Sequence, residues 1–369
     1  ALTKPYGYAV ESGVFNDQPK VSSCVKELTQ FSDASAKLKL SISEACLALP
    51  PYGLEIYQLS QITTVISEES KITNLDIRNI YALFRNSANS LNNELVDIIP
   101  ETVVLNQGRT FVNPPIGEIS STLTMNANVQ TLPKRLYYDY QNVLQAGEMN
   151  VRRVMVASNA AACLIASDPN LPRDYILVDI GSCMTTVSLI GNAELFASRF
   201  FEWGGDKITD KIIETFNINE AEAEKIKITY GIDKRQMNFK APVCRTDDGE
   251  GNEIKHYADE LNAIIKSELE SFLNSLKASI DELLNGYDSA YKTLPIILTG
   301  GGSRLSGLVD YLEPKVESEK VYTFVPKTLG ARNATFVNCL GMILANAKYP
   351  SAYDENHPRV GQVTRDPVK

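Results

Sequence analysis

The apolar positions change period repeatedly along the chain, and each change marks an element. The clearest stretch is Tyr175-Ile-Leu-Val-Asp-Ile-Gly-Ser-Cys-Met-Thr-Thr-Val-Ser-Leu-Ile190. An apolar run closes on Asp179, the small residues Gly181-Ser182-Cys183 follow, and a second run covers Thr185 to Ile190. Gly191-Asn192 then leads into a third run, Leu195 to Phe201. This spacing predicts strand, tight loop, strand, tight turn, strand. Before it, strands are predicted within Gly7 to Val14, Ala45 to Leu49, Leu54 to Ile66, Val96 to Leu105, Ser120 to Val129 and Arg152 to Val156. Helices are predicted over Val21 to Leu38, from Lys71 onward with Ile77, Ile80, Leu83 and Phe84 inward, over Pro133 to Ala146, and over Ser158 to Ala166. Thr73 with Asp76 has the spacing of a cap and a returning acid, and Gly147 reads as a C-terminal stop.

After the strand trio, Trp203-Gly-Gly-Asp-Lys-Ile-Thr-Asp210 opens a helix with Ile208, Ile212 and Phe216 on one side. Asn219 caps another, Ala221 to Lys227. A hairpin is expected over 236 to 256. A long helix, Tyr257 to Asn285, carries Leu261, Ile265, Leu269, Phe272, Leu276 and Leu283 at spacings of three and four. Such a stripe points to a core face rather than a coiled-coil seam. Strand Leu294 to Thr299 runs into Gly300-Gly-Gly-Ser303 and a helix Arg304 to Leu312. Strand Val321 to Val325 and helix Asn333 to Ala347 follow. Tyr349 to Lys369 has no apolar period and is expected to be a disordered tail.

Composition narrows the function classes. The 369 residues suffice for two or more cores. A net charge of −9 with no basic run argues against a nucleic-acid partner. The six cysteines, Cys24, Cys46, Cys163, Cys183, Cys244 and Cys339, form no C-x-x-C pair and are expected to be reduced thiols rather than a disulfide or zinc framework. With only His256 and His357 present, a histidine metal centre or a Ser/His triad is disfavoured. No apolar run approaches the roughly 20 residues of a membrane-spanning helix.

Candidate chemistry sits at two turns. An acid at the end of a buried strand can hold a metal ion or a water, and small residues beyond it let backbone N–H groups close on an anion. A plain β-meander would show the same pattern. Gly300-Gly-Gly-Ser303 lies between a strand and a predicted helix, where backbone can approach a ligand. It has neither the Lys-Ser/Thr of a phosphate-binding Walker loop nor G-x-G-x-x-G spacing. Both turns fall at the C-terminal ends of predicted central strands, where open α/β sheets bind ligands. Glu224 and Lys227, one helical turn apart, read either as a surface ion pair or as a pair facing a ribose.

In order, Val178-Asp-Ile-Gly181, Gly204-Gly-Asp-Lys-Ile-Thr209, Ala221-Glu-Ala-Glu-Lys-Ile-Lys-Ile-Thr-Tyr-Gly231 and Leu298-Thr-Gly-Gly-Gly-Ser-Arg-Leu-Ser-Gly-Leu308 resemble the actin-like ATPase superfamily. More narrowly the chain resembles the FtsA family of bacterial cell-division proteins. Asp97-Ile-Ile-Pro-Glu101 and Phe111-Val-Asn-Pro-Pro-Ile-Gly117 are similar to that family's strand and loop pattern, and the resemblance covers roughly residues 10 to 348. It implies an α/β, actin-like (ribonuclease H-like) two-lobed fold with an FtsA-type inserted subdomain. The first lobe would comprise 1–43 and 131–172, the insert 44–130, the second lobe 173–202 and 292–348, a lid subdomain 203–291, and the tail 349–369.

The resemblance also implies a function. ATP and Mg²⁺ would bind through Asp179, Gly181, Ser182, Cys183, Met184, Thr185, Gly204, Gly205, Glu224, Lys227, Gly300, Gly301, Gly302 and Ser303, with Asp179 near the metal. The protein would be a polymerising scaffold at the cytoplasmic face of the division septum, with partners in the FtsZ C-terminal tail, copies of itself and other divisome proteins. The insert would make polymer contacts and 203–291 would take the FtsZ tail. A PilM-like adaptor of type IV pilus assembly is the alternative, and a sugar kinase is a more distant one.

Four departures bear on this. Gly181-Ser-Cys-Met184 stands where the family usually reads Gly-Gly-Gly-Thr. Ala157-Ser158-Asn159 carries no acid where catalytic actins do, so weak hydrolysis at most is expected. The first strand hairpin with its phosphate loop is expected to be missing through an incomplete N-terminus. The amphipathic membrane helix is likewise absent from the tail, so membrane attachment would run through a segment outside this chain.

Overall fold

The structure, a computed structural model, describes residues 10–11, 14–15, 17–30, 43–88, 91–106, 108–232, 242–247, 252–285 and 293–348. The expectations for residues 1–9, for 31–38 of the first helix and for the tail 349–369 lie outside these. The chain forms two compact units, one of residues 1–163 and 339–369, the other of residues 164–338. Among the described residues no helix is long and apolar enough to cross a membrane.

In the first unit, a two-residue hairpin, β1 Val10–Glu11 and β2 Val14–Phe15, precedes helix α1 Gln18–Gln30. Strand β3 Glu44–Leu49 pairs in parallel with β8 Asn150–Val156. Between them in sequence lie β4 Glu55–Thr64, helix α2 Asn74–Ala88, β5 Asn93–Leu105, β6 Thr110–Phe111 and β7 Thr122–Pro133. They form one antiparallel sheet of order β4-β7-β5-β6. Its hydrogen bonding thus starts at Glu55, while Ala45–Leu49, which the sequence grouped with this insert, pairs with β8 instead. Ile77, Ile80 and Phe84 of α2 fill one face of the sheet against Ile98, Val103, Leu123, Met125 and Val129. Leu83, expected inward, is 36% exposed, because it lies off the stripe that Ile80 and Phe84 define.

Of the cap and returning acid expected at α2, the structure shows the returning acid, with the Thr73 hydroxyl as a donor to it. The Asp76 carboxylate accepts from Thr73 N at 2.8 Å and Thr73 Oγ1 at 2.7 Å, and from Ile66 N at 3.0 Å. Burial pushes this carboxyl up, but the hydrogen bonds from Thr73 and Ile66 outweigh it and hold it below the usual range. A depressed folded value means that the stabilisation is present above the ordinary carboxyl range and is lost as pH falls through the folded value. Asp76→Asn is therefore expected to cost about 1–2 kcal/mol at neutral pH, with the gap to wild type narrowing in acid. Thermal melting at pH 7 and near pH 3 checks this; a gap that widens in acid contradicts it.

Helix α3 Lys134–Ala146 ends in a left-handed motif, but the left-handed residue is Glu148 at φ 63°, not Gly147 at φ −81°: Glu148 N donates to the Gln145 carbonyl at 3.0 Å and Met149 N to the Leu144 carbonyl at 2.9 Å. Glycine is needed at position 147 because a Cβ would lie 2.6 Å from Val25 Cγ1 of α1. The packing of α1 on α3, not helix termination, fixes this residue. Helix α4 Ala157–Ile165 follows β8. The side chain of Arg153, on β8, is 2% exposed; it donates to Asp97 Oδ2 of β5 at 3.2 Å and to the Ala345 carbonyl at 3.0 Å.

The second unit is built on a five-stranded sheet in which strands 194–201, 185–191, 175–180, 296–299 and 321–323 lie in that order. Strands β9 Tyr175–Ile180, β10 Thr185–Gly191 and β11 Glu194–Phe201 are the expected antiparallel trio. Helices α5 Gly205–Phe216 and α6 Glu220–Tyr230 come next, with Asn219 Oδ1 accepting from Glu222 N as its cap. The hairpin β12 Pro242–Asp247 and β13 Glu253–Tyr257 leads into the long helix α7 Ala258–Leu284. Strand β14 Ile296–Thr299 lies parallel to β9, with Thr299 opposite Asp179, and β15 Val321–Thr323 lies parallel to β14. Leu261, Ile265, Leu269, Phe272 and Leu276 of α7 enter the same core as Val178, Val187, Ile208, Ile212 and Phe216. The apolar stripe of α7 is therefore core. A short helix α8 Leu308–Leu312 and helix α9 Val337–Lys348 complete the chain order.

Candidate nucleotide site

Strands β9 and β14 are neighbours, so the two glycine turns emerge side by side at their C-terminal ends. Gly181 and Ser182 of one turn and Gly301 and Gly302 of the other line a single cleft of about 260 Å³ within the second unit. Gly205, Glu224 and Lys227 also line it. The remaining wall comes from Ile180, Trp203, Asp206, Ile208, Ile228, Leu269, Phe272, Arg304, Leu305, Leu308 and Thr335. Seven of the residues singled out from sequence thus face one space.

The other seven, Asp179, Cys183, Met184, Thr185, Gly204, Gly300 and Ser303, adjoin these residues in sequence but do not line the cleft. Thr185 is buried and its hydroxyl donates to the Trp203 carbonyl at 2.7 Å. Gly204 has no room for a side chain, since a Cβ would lie 2.1 Å from the Ser182 carbonyl oxygen. Ser303 is buried, with Oγ donating to the Gly300 carbonyl at 2.8 Å. Gly300 has φ +81°, and a Cβ there would meet Asp179 Oδ1 at 2.3 Å and the Ile180 carbonyl oxygen at 2.4 Å. The Met184 carbonyl accepts from Gly181 N at 2.8 Å, which closes the β9–β10 hairpin and uses one of the N–H groups expected to face an anion. Cys183 is exposed, with Sγ donating to Asp206 Oδ2 at 3.3 Å. Partial burial and the Asp206 carboxylate push its thiol up, so it is not an activated nucleophile.

Asp179 closes β9 beside Gly300. Burial pushes its carboxyl up, opposed by one hydrogen bond from Asn338 Nδ2 to Oδ2 at 2.9 Å. Among the described residues no cationic side chain pairs with it, and no group of three or more His, Cys, Asp or Glu gathers anywhere as a ready metal cage.

Backbone hydrogen bonds join the hairpin to the start of α5: Gly205 N donates to the Gly181 carbonyl at 3.0 Å and Asp206 N to the Ser182 carbonyl at 2.8 Å. Lys227 Nζ reaches the Gly205 carbonyl at 3.0 Å, Thr209 Oγ1 at 2.7 Å and Glu224 Oε2 at 2.5 Å, and Thr209 Oγ1 also meets Glu224 Oε2 at 2.7 Å. The pair is therefore no loose surface bridge. It ties α6 to the first turn of α5 and leaves the Glu224 carboxylate at the cleft wall.

The sequence suggested a helix directly after Gly300–Ser303. The structure has a single 3₁₀ turn, Gly302–Arg304, and α8 begins only at Leu308. Gly307, in the left-handed region at φ 83°, breaks the run. No long helix dipole aims at the cleft from this side, and the polar groups lining it there are the Gly301–Gly302 backbone and Arg304. Of the wall residues not singled out beforehand, Asp206 had a signal, an acid immediately after paired glycines. Trp203, Arg304 and Thr335 had none, since they reach the cleft only through tertiary packing.

This arrangement belongs to the actin-like class of α/β proteins. Structural comparison agrees: over 92% of this chain and 88% of the other, it superposes on a chain of the PilM–PilN type IV pilus biogenesis complex with a TM-score of 0.58 and 16% identity. Within that fold class the chain is similar in sequence to FtsA proteins. The family model described as cell division protein FtsA matches residues 176–341. The FtsA of Enterococcus faecalis is 26% identical over 323 residues, covering 87% of this chain and 72% of that protein. The FtsA of Enterococcus hirae is 23% identical over 93% of this chain and 76% of its own length, and that of Streptococcus pneumoniae 24% over 90% and 71%.

Proposed function

We propose that the chain binds ATP with Mg²⁺ in the cleft of the second unit and serves as an actin-like scaffold in bacterial cell division. The observation that carries this is the convergence of Gly181–Ser182, Gly205, Glu224–Lys227 and Gly301–Gly302 on one space. Backbone at the two glycine turns offers polar groups at close approach, and Glu224 offers an acceptor for sugar hydroxyls. The donor set suits Mg²⁺, which is commonly held through one or two carboxylates together with substrate phosphates. Asp179, desolvated and with no cationic partner among the described residues, is the carboxylate that would hold it, directly or through water. The ion would neutralise phosphate charge; this chain's own residues orient the nucleotide and wall it from solvent. The relatives' role extends the reading. The chain polymerises through its insert, takes the FtsZ C-terminal tail on the subdomain of residues 203–291, and links FtsZ filaments and other divisome proteins to the inner face of the membrane at the septum.

Calorimetric titration with ATP and Mg²⁺ tests the core of this. Gly301→Arg is the informative variant, because Gly301 has φ −61° and ψ −42° and the nearest atom to a Cβ is Thr335 Cγ2 at 3.5 Å. The backbone accepts a side chain there, while the guanidinium stem fills the cleft. Affinity is expected to fall at least roughly 10-fold, about 1.4 kcal/mol, with melting unchanged. Unchanged affinity would remove the support for the site. In a pull-down, the FtsZ C-terminal peptide is expected to be retained and a pilus-assembly peptide not; the reverse outcome favours the PilM-like role.

A further inference from the structure

We propose that Asn338 is a positioning residue that prepares Asp179 for a divalent cation, an inference that rests on the ATP–Mg²⁺ reading above. Asn338 is the second residue of α9, far from β9 in sequence, and its Nδ2 donates to Asp179 Oδ2 at 2.9 Å. The carboxylate fixes which way the amide points, since only the NH₂ end can face it. The other end, Oδ1, is buried and makes no hydrogen bond among the described residues. A buried, unmatched acceptor costs free energy unless a ligand or water completes it. The remaining carboxylate oxygen, Asp179 Oδ1, lies against the backbone of Gly300, where even a methyl group would not fit.

Two oxygen acceptors, one ionised and one neutral, therefore belong to a pair in which no cation among the described residues takes part. A desolvated carboxylate with a single neutral donor is an unfavourable arrangement in isolation. It becomes favourable once a hard cation, with waters that need acceptors, arrives on a phosphate. A neutral amide is suited to the task. A lysine in its place would pair with Asp179 and compete with the metal, while an aliphatic residue would leave the carboxylate unheld. Such outer partners of a metal ligand typically change metal affinity by roughly 10–100-fold when removed.

The test compares ATP affinity with Mg²⁺ and with EDTA for the wild-type chain and for Asn338→Leu, Asn338→Ser and Asn338→Lys, together with Mn²⁺ binding followed by paramagnetic resonance in the presence of ATP. In wild type, the cation is expected to tighten ATP binding. In Asn338→Leu and Asn338→Lys this enhancement and the Mn²⁺ affinity are expected to fall roughly 10-fold or more, while metal-free ATP affinity stays within about 2-fold. Asn338→Ser, smaller and still polar, is expected to fall between, and it decides the matter if the leucine variant does not fold. A purely structural role would lower melting and both ATP affinities together. Retention of the full enhancement in folded Leu or Ser variants overturns this proposal alone; a wild type that takes no ATP with or without Mg²⁺ overturns the functional reading as well.

Discussion

Arg153→Met is expected to destabilise the first unit by about 3–5 kcal/mol. Asp97 and Arg153 are 2% exposed each, so removing the guanidinium strands a carboxylate where water cannot reach it. Burial already pushes the Asp97 carboxyl up, and Arg153 is the partner that pulls it back. The loss extends beyond the pair, because Arg153 also donates to the Ala345 carbonyl of α9 at 3.0 Å. One side chain thus joins the insert sheet through β5, the parallel pair through β8, and α9. The double variant Asp97→Leu/Arg153→Met should recover much of the loss, since apolar replacement of a buried ion pair is often neutral or better. Thermal melting of the two single variants and the double variant checks this. A single Arg153→Met variant that melts within a degree or two of wild type would show that the pair is solvated in solution.

Local rules carried most of the architecture, and the reason differs by region. In the second unit the antiparallel trio 175–201 was legible because each strand is bounded by residues that only turns favour, Gly181-Ser182 and Gly191-Asn192. The long helix 258–284 was legible because a 27-residue stripe has one period throughout. The returning acid Asp76 and the cap at Asn219 were legible because their hydrogen bonds span three residues. What escaped involved partners distant in sequence. Gly147 looked like a helix stop, yet Val25 explains it. The strand at 44–49 was grouped with its sequence neighbours, yet it pairs with 150–156. A helix was expected from Arg304, and Gly307 delayed it to Leu308.

The candidate site divides in the same way. Gly181, Gly301, Glu224 and Lys227 were found as motif residues, and they share a cleft because β9 and β14 are adjacent. Asn338 was invisible: a single asparagine early in a small-residue helix has no pattern until the fold brings it to Asp179.

Gly300→Ala is expected to have the second large effect, and it acts on the site directly. At φ +81° an alanine pays roughly 1–2 kcal/mol for its left-handed backbone alone. Its Cβ would also lie 2.4 Å from the Ile180 carbonyl oxygen, which is backbone, and 2.3 Å from Asp179 Oδ1, the end of a short side chain held by Asn338. Overlap of this kind adds typically 1–3 kcal/mol, so a total of about 2–5 kcal/mol is expected. The strain has only one soft exit, displacement of the Asp179 carboxylate from Asn338. Melting should therefore fall together with the Mg²⁺ enhancement of ATP binding, whereas Gly301→Ala, one residue on, should leave melting unchanged because its backbone is already helical and its nearest neighbour is at 3.5 Å. Equal behaviour of the two alanine variants would mean that Gly300 does not press on Asp179, and that the two turns are held together by something other than this contact.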